Sequence, residues 1–200
     1  MKTFLFICLQ YLLPQHLLSR LIGWFAETKF VPIKSHFITR FIKAYDVNMS
    51  EAEQEDPASY ENFNAFFCRA LKEGARPIDD EKNSIASPAD GAFSQLGNIE
   101  HGRVFQAKGQ SFSTLELLGG DPELSEKFSD GKFATIYLSP KDYHRLHMPI
   151  SGKLISMTHV PGDLFSVNPA TTENVPRLFA RNERAVCIFE TEYGPMAMVL

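Results

Sequence analysis

No run of about 20 apolar residues, the length a helix needs to cross a bilayer, occurs in this chain. The N-terminal apolar stretch Phe4-Leu-Phe-Ile-Cys-Leu9 is interrupted by Gln10 and Pro14. No small-x-small cleavage pattern follows it, so a signal peptide is not expected either. Cysteine is scarce and odd in number: Cys8, Cys68 and Cys187 lie far apart and form no CxxC pair. That excludes a disulfide framework and a cysteine-based structural zinc site, and it suits a reducing compartment. An excess of positive charge is missing too. With 20 basic and 24 acidic residues the net charge is −4, which argues against a general nucleic-acid binder. There is no HExxH, no GxSxG, no internal repeat and no low-complexity tract.

What is present is distributed unevenly. Residues 1–45 carry a net charge of +5, which leaves −9 on the rest. Within this arm, Leu17, Leu18, Leu21, Ile22, Trp24 and Phe25 oppose His16, Ser19, Arg20 and Gly23 at helical spacing. A second stretch sets Phe37, Ile38, Phe41, Ile42 and Tyr45 against Lys34, Thr39, Arg40 and Lys43. Two amphipathic helices are expected. They can pack on a core of their own. An apolar face, a basic polar face and a terminal tryptophan also suit a helix lying in a headgroup layer.

Residues 46–84 read as an acidic linker followed by a short helix. Ser59 is expected to cap a helix starting at Tyr60, with Phe63, Phe66, Phe67 and Leu71 inward and Arg69 and Lys72 outward. Residues 85–200 read as a β-rich body with strands near 92–96, 104–107, 133–138, 152–160, 186–191 and 196–200. Ser113 and Glu116 are spaced as a capping box for a short helix at 114–118. The fold class expected is therefore α+β, with a helical arm at 1–45 and a β-rich catalytic domain at 85–200. The last residues, Met196-Ala-Met-Val-Leu200, are apolar and strand-like, which reads as a sequence that continues.

The chemistry concentrates in Ser139-Pro-Lys-Asp-Tyr-His-Arg-Leu-His-Met-Pro149, which follows an apolar strand. It brings His144 and His147 into one proline-bounded turn, and imidazole is the side chain best suited to move protons near neutral pH. Asp90, in Ser87-Pro-Ala-Asp-Gly91, could orient an imidazole; Asp-Gly also makes a plain turn. Either histidine can equally be a hydrogen-bonded structural residue. A metal site would need a third ligand such as His101 or His159, and no spacing favours one. Ser166 is a candidate nucleophile without an elbow motif around it. The residues alone reach an acid and two histidines, with the nucleophile unidentified.

At these segments the chain resembles the bacterial, membrane-associated phosphatidylserine decarboxylases. The resemblance runs through Phe63-Asn-Ala-Phe-Phe-Cys-Arg69, Ala75-Arg-Pro-Ile-Asp79, Ser87-Pro-Ala-Asp-Gly91, Gln106-Ala-Lys-Gly109, Tyr137–Pro149, Val160-Pro-Gly-Asp-Leu-Phe-Ser-Val167 and Asn174–Arg184. It implies a proenzyme that cuts itself at a Leu-Gly-Ser-Thr motif, leaving a pyruvoyl group on the smaller α-subunit. That carbonyl cofactor forms a Schiff base with phosphatidylserine and acts as an electron sink while carbon dioxide leaves, giving phosphatidylethanolamine. By the same resemblance, Asp90 and His147 serve the self-cleavage and His144 protonates the product, with Tyr137 and Ser166 as substrate contacts. The partners implied are phosphatidylserine, an anionic membrane surface and the α-subunit, with a homodimer left open and nucleic acid excluded. The location implied is the cytoplasmic face of the inner membrane, held peripherally. One departure stands out: the 200 residues contain no Gly-Ser dipeptide. The pyruvoyl serine is therefore expected beyond Leu200, and the chain alone is expected to be inactive. The alternatives are a non-catalytic lipid-binding protein and, less well supported, a histidine-based metal hydrolase.

Overall fold

The computed structural model describes residues 2–79, 81 and 84–200. Met1, Asp80, Lys82 and Asn83 lie outside the described residues, and so do the parts of the arm and linker expectations that fall on them. The chain forms two compact units. One comprises Met1–Ser19, Phe93–Thr135 and Ser151–Leu200; the other comprises Arg20–Ala92 and Ile136–Ile150.

The first unit holds most of the strands. Strands β1 (Ala92–Asn98) and β4 (Lys132–Tyr137) pair, as do β2 (Arg103–Ala107) and β3 (Gln110–Ser113). A three-stranded antiparallel sheet follows in the order β5 (Gly152–Val160), β6 (Arg184–Thr191), β7 (Gly194–Val199). The β-branched Val186 and Ile188 of central β6 are buried against Leu118. Four short helices sit among the strands: α5 (Thr114–Leu117), α6 (Pro122–Glu126), α7 (Pro169–Asn174) and α8 (Leu178–Arg181). Ser113 and Glu116 form the expected capping box on α5. The short strand β3 and helices α6, α7 and α8 were not expected, although α6 and α7 carry local start signals, a capping Asp121 or Asn168 followed by proline.

Two devices hold this unit together. Gln106 is fully buried; its amide nitrogen donates to the carbonyls of Thr172 and Val175, at 2.8 and 2.9 Å. Its carbonyl oxygen accepts from Leu178 N at 2.8 Å, so one side chain satisfies three backbone groups around α7 and α8. Gly162 makes the second device possible. A Cβ there would lie 2.2 Å from the carbonyl oxygen of Arg181, where Asp163 N donates.

The helical arm begins with α1 (Lys2–Leu12) and α2 (Gln15–Ala26), separated at Leu13-Pro14. No single described helix is long and apolar enough to cross a membrane; the two together pass that test as a sharply bent pair. The polar residues that interrupt the apolar run have structural work. Gln10 and Gln15 side chains accept from the backbone N–H groups of Ser166 and Leu164.

The second unit is built on α3 (Val31–Tyr45) and α4 (Phe63–Phe67). Ile38 and Phe66 are fully buried together with Val47 and Tyr60. Three local expectations are corrected here. The cap of α4 is Asn62, whose side chain accepts from Ala65 N; Asp56 caps a 3-10 turn at Pro57–Ser59, and Tyr60 is extended and buried. Lys34 does not face water; its ammonium donates to the carbonyls of Ala58 and Tyr60. Arg69 does not face out either, because α4 ends at Phe67 and the helical stripe no longer governs its direction.

Replacing Gln106 with Leu keeps the volume but strands three buried backbone groups, which should cost about 3 kcal/mol or more. Urea unfolding should show a lower midpoint at an unchanged slope. An unchanged midpoint would remove Gln106 from the account of this core.

Candidate active site

The segment between β4 and β5 has no regular structure, so hydrogen bonds fix its shape. Asp142 closes a turn on Ser139: Ser139 N donates to the Asp142 carboxylate at 2.6 Å, and Asp142 N to the Ser139 carbonyl at 2.9 Å. The Asp90 loop runs alongside. His147 N donates to Pro88 O at 2.8 Å, and Ala86 N to Pro149 O at 3.0 Å. The two motifs singled out in the sequence are thus joined through their backbones.

His144 Nδ1 lies 2.8 Å from the carbonyl oxygen of Asp142. A carbonyl only accepts, so the neutral ring carries its proton on Nδ1 and leaves Nε2 free. The ring packs on Phe67, with centroids 4.0 Å apart. His147 Nε2 lies 3.1 Å from the hydroxyl of Tyr143, and the two rings stack at 5.6 Å. Tyr143 is buried, whereas His147 is exposed.

Asp90 is engaged elsewhere. Its carboxylate accepts a hydrogen bond from Arg76 Nε at 2.7 Å and forms an ion pair with Nη2 at 2.6 Å. Arg76 also donates to Glu51 at 2.7 Å. Hydrogen bonds to Asp90 and then Glu51 raise the Arg76 guanidinium above its usual range, so it stays charged. Among the described residues no side-chain hydrogen bond joins Asp90 to His147; the contact between their segments runs through the backbone. Gly91, next to Asp90, permits a close approach to the end of β4. A Cβ there would stand 2.6 Å from Tyr137 O and 2.9 Å from Ile136 Cγ2. Tyr137 itself is half-buried at that end.

Ser166 belongs to the first unit and is exposed. Its hydroxyl accepts from Asn168 Nδ2 at 3.1 Å. No group of three or more His, Cys, Asp or Glu side chains is placed to hold a metal among the described residues. His159 approaches Glu183 at 3.4 Å.

Comparison with known proteins finds family models that match most of the chain. The phosphatidylserine decarboxylase family model matches residues 63–200, and a second model, described as PSD, matches residues 5–46. The chain belongs to the phosphatidylserine decarboxylase family. It is 66% identical over all 200 residues to the phosphatidylserine decarboxylase proenzyme of Pseudomonas fluorescens, covering 69% of that protein. It is 65% and 64% identical to the proenzymes of Pseudomonas entomophila and Ectopseudomonas mendocina, covering 70% of each. These are carboxy-lyases of lipid metabolism, and the family assignment extends to this chain.

The pyruvoyl group implied by the family is built from a serine that follows a glycine. No serine among the 200 residues does so, and Ser166 follows Phe165. The 200 residues supply acid and base groups but no attachment atom for that group.

Three residues at the site were not read from the sequence as functional. Tyr143 and Arg76 are assigned by contact alone. Arg69, expected to face solvent, turns inward because α4 ends two residues before it.

Gly91→Ala should cost about 1–3 kcal/mol, since the obstructing atom is a backbone carbonyl that cannot rotate away. Thermal unfolding should move down accordingly. A wild-type melting temperature would mean that the turn and Tyr137 can separate freely.

Proposed function

We propose that these 200 residues form the lipid-engaging and proton-handling part of a phosphatidylserine decarboxylase. We further propose that, by themselves, they bind phospholipid without decarboxylating it. The observation that carries this reading is the pairing of the family's histidine turn with the absence of any glycine-serine dipeptide.

The chain's own residues suit three tasks. The first is holding a membrane surface. On α1 and α2, Phe4, Leu12, Leu17, Leu21, Ile22 and Trp24 are more than half exposed. Neither helix has a fully buried residue. Burying such side chains among acyl chains is favourable, and Lys2 and Arg20 suit an anionic headgroup layer. Peripheral association through this face follows, and we assign the face to the cytoplasmic side of the inner membrane.

The second task is protonation. Loss of carbon dioxide from phosphatidylserine leaves an electron pair on carbon that must take a proton. His144 is the residue we assign to this step. Its Nε2 is free, and in the protonated ring that nitrogen holds a transferable proton while Nδ1–H stays bonded to Asp142 O.

The third task belongs to proenzyme processing. There His147 acts as base and Asp90 as its orienting acid. This requires the Asp90 carboxylate to turn from Arg76 towards His147, or to act through the backbone-linked loop. Tyr137 and Ser166 remain the proposed substrate contacts. The pyruvoyl group, supplied by a partner α-segment carrying the cleavage serine, would furnish the electron sink.

A test uses the 200-residue protein with phosphatidylcholine vesicles, with and without phosphatidylserine carrying a labelled carboxylate. The expected result is flotation with the phosphatidylserine vesicles and no labelled carbon dioxide. The double substitution L21E/W24E should weaken binding by about tenfold or more, since each side chain is worth roughly 1.5–3 kcal/mol when buried. Point changes on α2 are preferable to removing residues 1–45, because α3 buries Ile38 in the core. Failure to float would overturn the lipid reading; labelled carbon dioxide would overturn the non-catalytic one.

A further inference from the structure

Two arginines are buried among the described residues, and they are used very differently. Arg184, 7% exposed, donates to the carbonyls of Leu117, Glu116, Ala180 and Asn182. It ties helix ends together and its donors are satisfied. Arg69, 3% exposed, makes a single hydrogen bond, from Nη2 to Lys141 O at 3.0 Å. Its Nε and Nη1 are buried and have no partner among the described residues. The guanidinium lies over the Phe66 ring at 5.4 Å, which offsets part of the desolvation. A buried charge with one bond is a poor stabilising device. What the contact does instead is hold one carbonyl of the histidine turn.

The opposite contact is also present. Arg145, within the turn and exposed, donates from Nε to Cys68 O at 2.7 Å. Cys68 and Arg69 follow α4 directly, so the two guanidinium bonds cross between the end of the helix and the turn. Phe67, the last residue of α4, supplies the ring beneath His144. Lys141 O and Asp142 O belong to successive peptides. Fixing the first limits the orientation of the second, and the second is the acceptor of His144 Nδ1.

We propose that Arg69 and Arg145 are positioning residues, a crossed pair of straps by which the end of α4 fixes the ring of His144 with Nε2 as its free nitrogen. The proposal rests on the reading of His144 as the proton-transfer group. Arg69 touches no reacting atom; it acts through the Lys141 and Asp142 peptides. With two buried donors unpartnered, an arginine is expected to cost stability here, and that separates positioning from mere scaffolding. A scaffold residue, when replaced, lowers stability. Replacing Arg69 with Met keeps most of the volume and removes a poorly compensated charge, so the fold should hold while the ring is released.

Nitrogen-15 NMR of the imidazoles in the 200-residue protein tests this alongside urea unfolding. In the unsubstituted protein, the neutral His144 ring should be a single tautomer protonated on Nδ1. In Arg69→Met it should become a mixture of both tautomers, with the unfolding midpoint unchanged or raised. Arg145→Gln, at an exposed position that does not endanger folding, should move the tautomer in the same direction by a smaller amount. A single Nδ1–H tautomer in both variants would overturn the straps and leave the reading of His144 intact. A ring already protonated on Nε2 in the unsubstituted protein would overturn that reading itself. A lowered midpoint with an unaltered ring would assign Arg69 to the scaffold and also overturn the proposal.

Discussion

The structure depends most on a constraint at the segment between β4 and β5. These residues carry both histidines of the candidate site and form no helix or strand. Nothing in their own backbone fixes them beyond the Asp142 turn, so their geometry is imposed by neighbours. Two backbone bonds tie them to residues 86–88, and two guanidinium bonds tie them to residues 68–69. Irregular backbone is a common place for catalytic groups, provided that surrounding elements hold it still. The close approach of Gly91 to Tyr137 belongs to the same scheme, because it seats the Asp90 turn at the end of the strand from which the histidine segment departs.

The N-terminal helices obey a different logic. Their side chains are mostly apolar and mostly exposed, the reverse of a core helix. The polar interruptions that shorten the apolar run are used: Gln10 and Gln15 hold backbone N–H groups of the segment containing Ser166. One stretch of sequence thus presents an exposed apolar surface and clamps a loop of the body.

Much of this was legible in the sequence, for reasons that can be named. Long periodic elements such as α2, α3 and β5 declare themselves through hydrophobic spacing and appear within a few residues of the expected places. The capping box at Ser113 and Glu116 is a local rule and was readable as one. The short elements were not, because α7 and α8 are organised by Gln106, whose three bonds reach residues more than 60 positions away. At the site, His144, His147 and Asp90 stand out by residue type and by the family resemblance. Their side-chain partners do not. That Asp90 meets Arg76, that His147 meets Tyr143 and that Arg69 turns inward are consequences of tertiary packing. The Arg69 expectation failed for a definite reason: a helical stripe was extended past the point where the helix stops.

The central claim is that residues outside the histidine segment fix its shape. Amide hydrogen exchange of the 200-residue protein at Ala86 and His147 tests it most directly. Each amide is the donor of one of the two backbone bonds that join the loops. Both amides should exchange slowly, with closely similar opening free energies, because the two bonds break together. Exchange at either amide as fast as in an unstructured chain would contradict it.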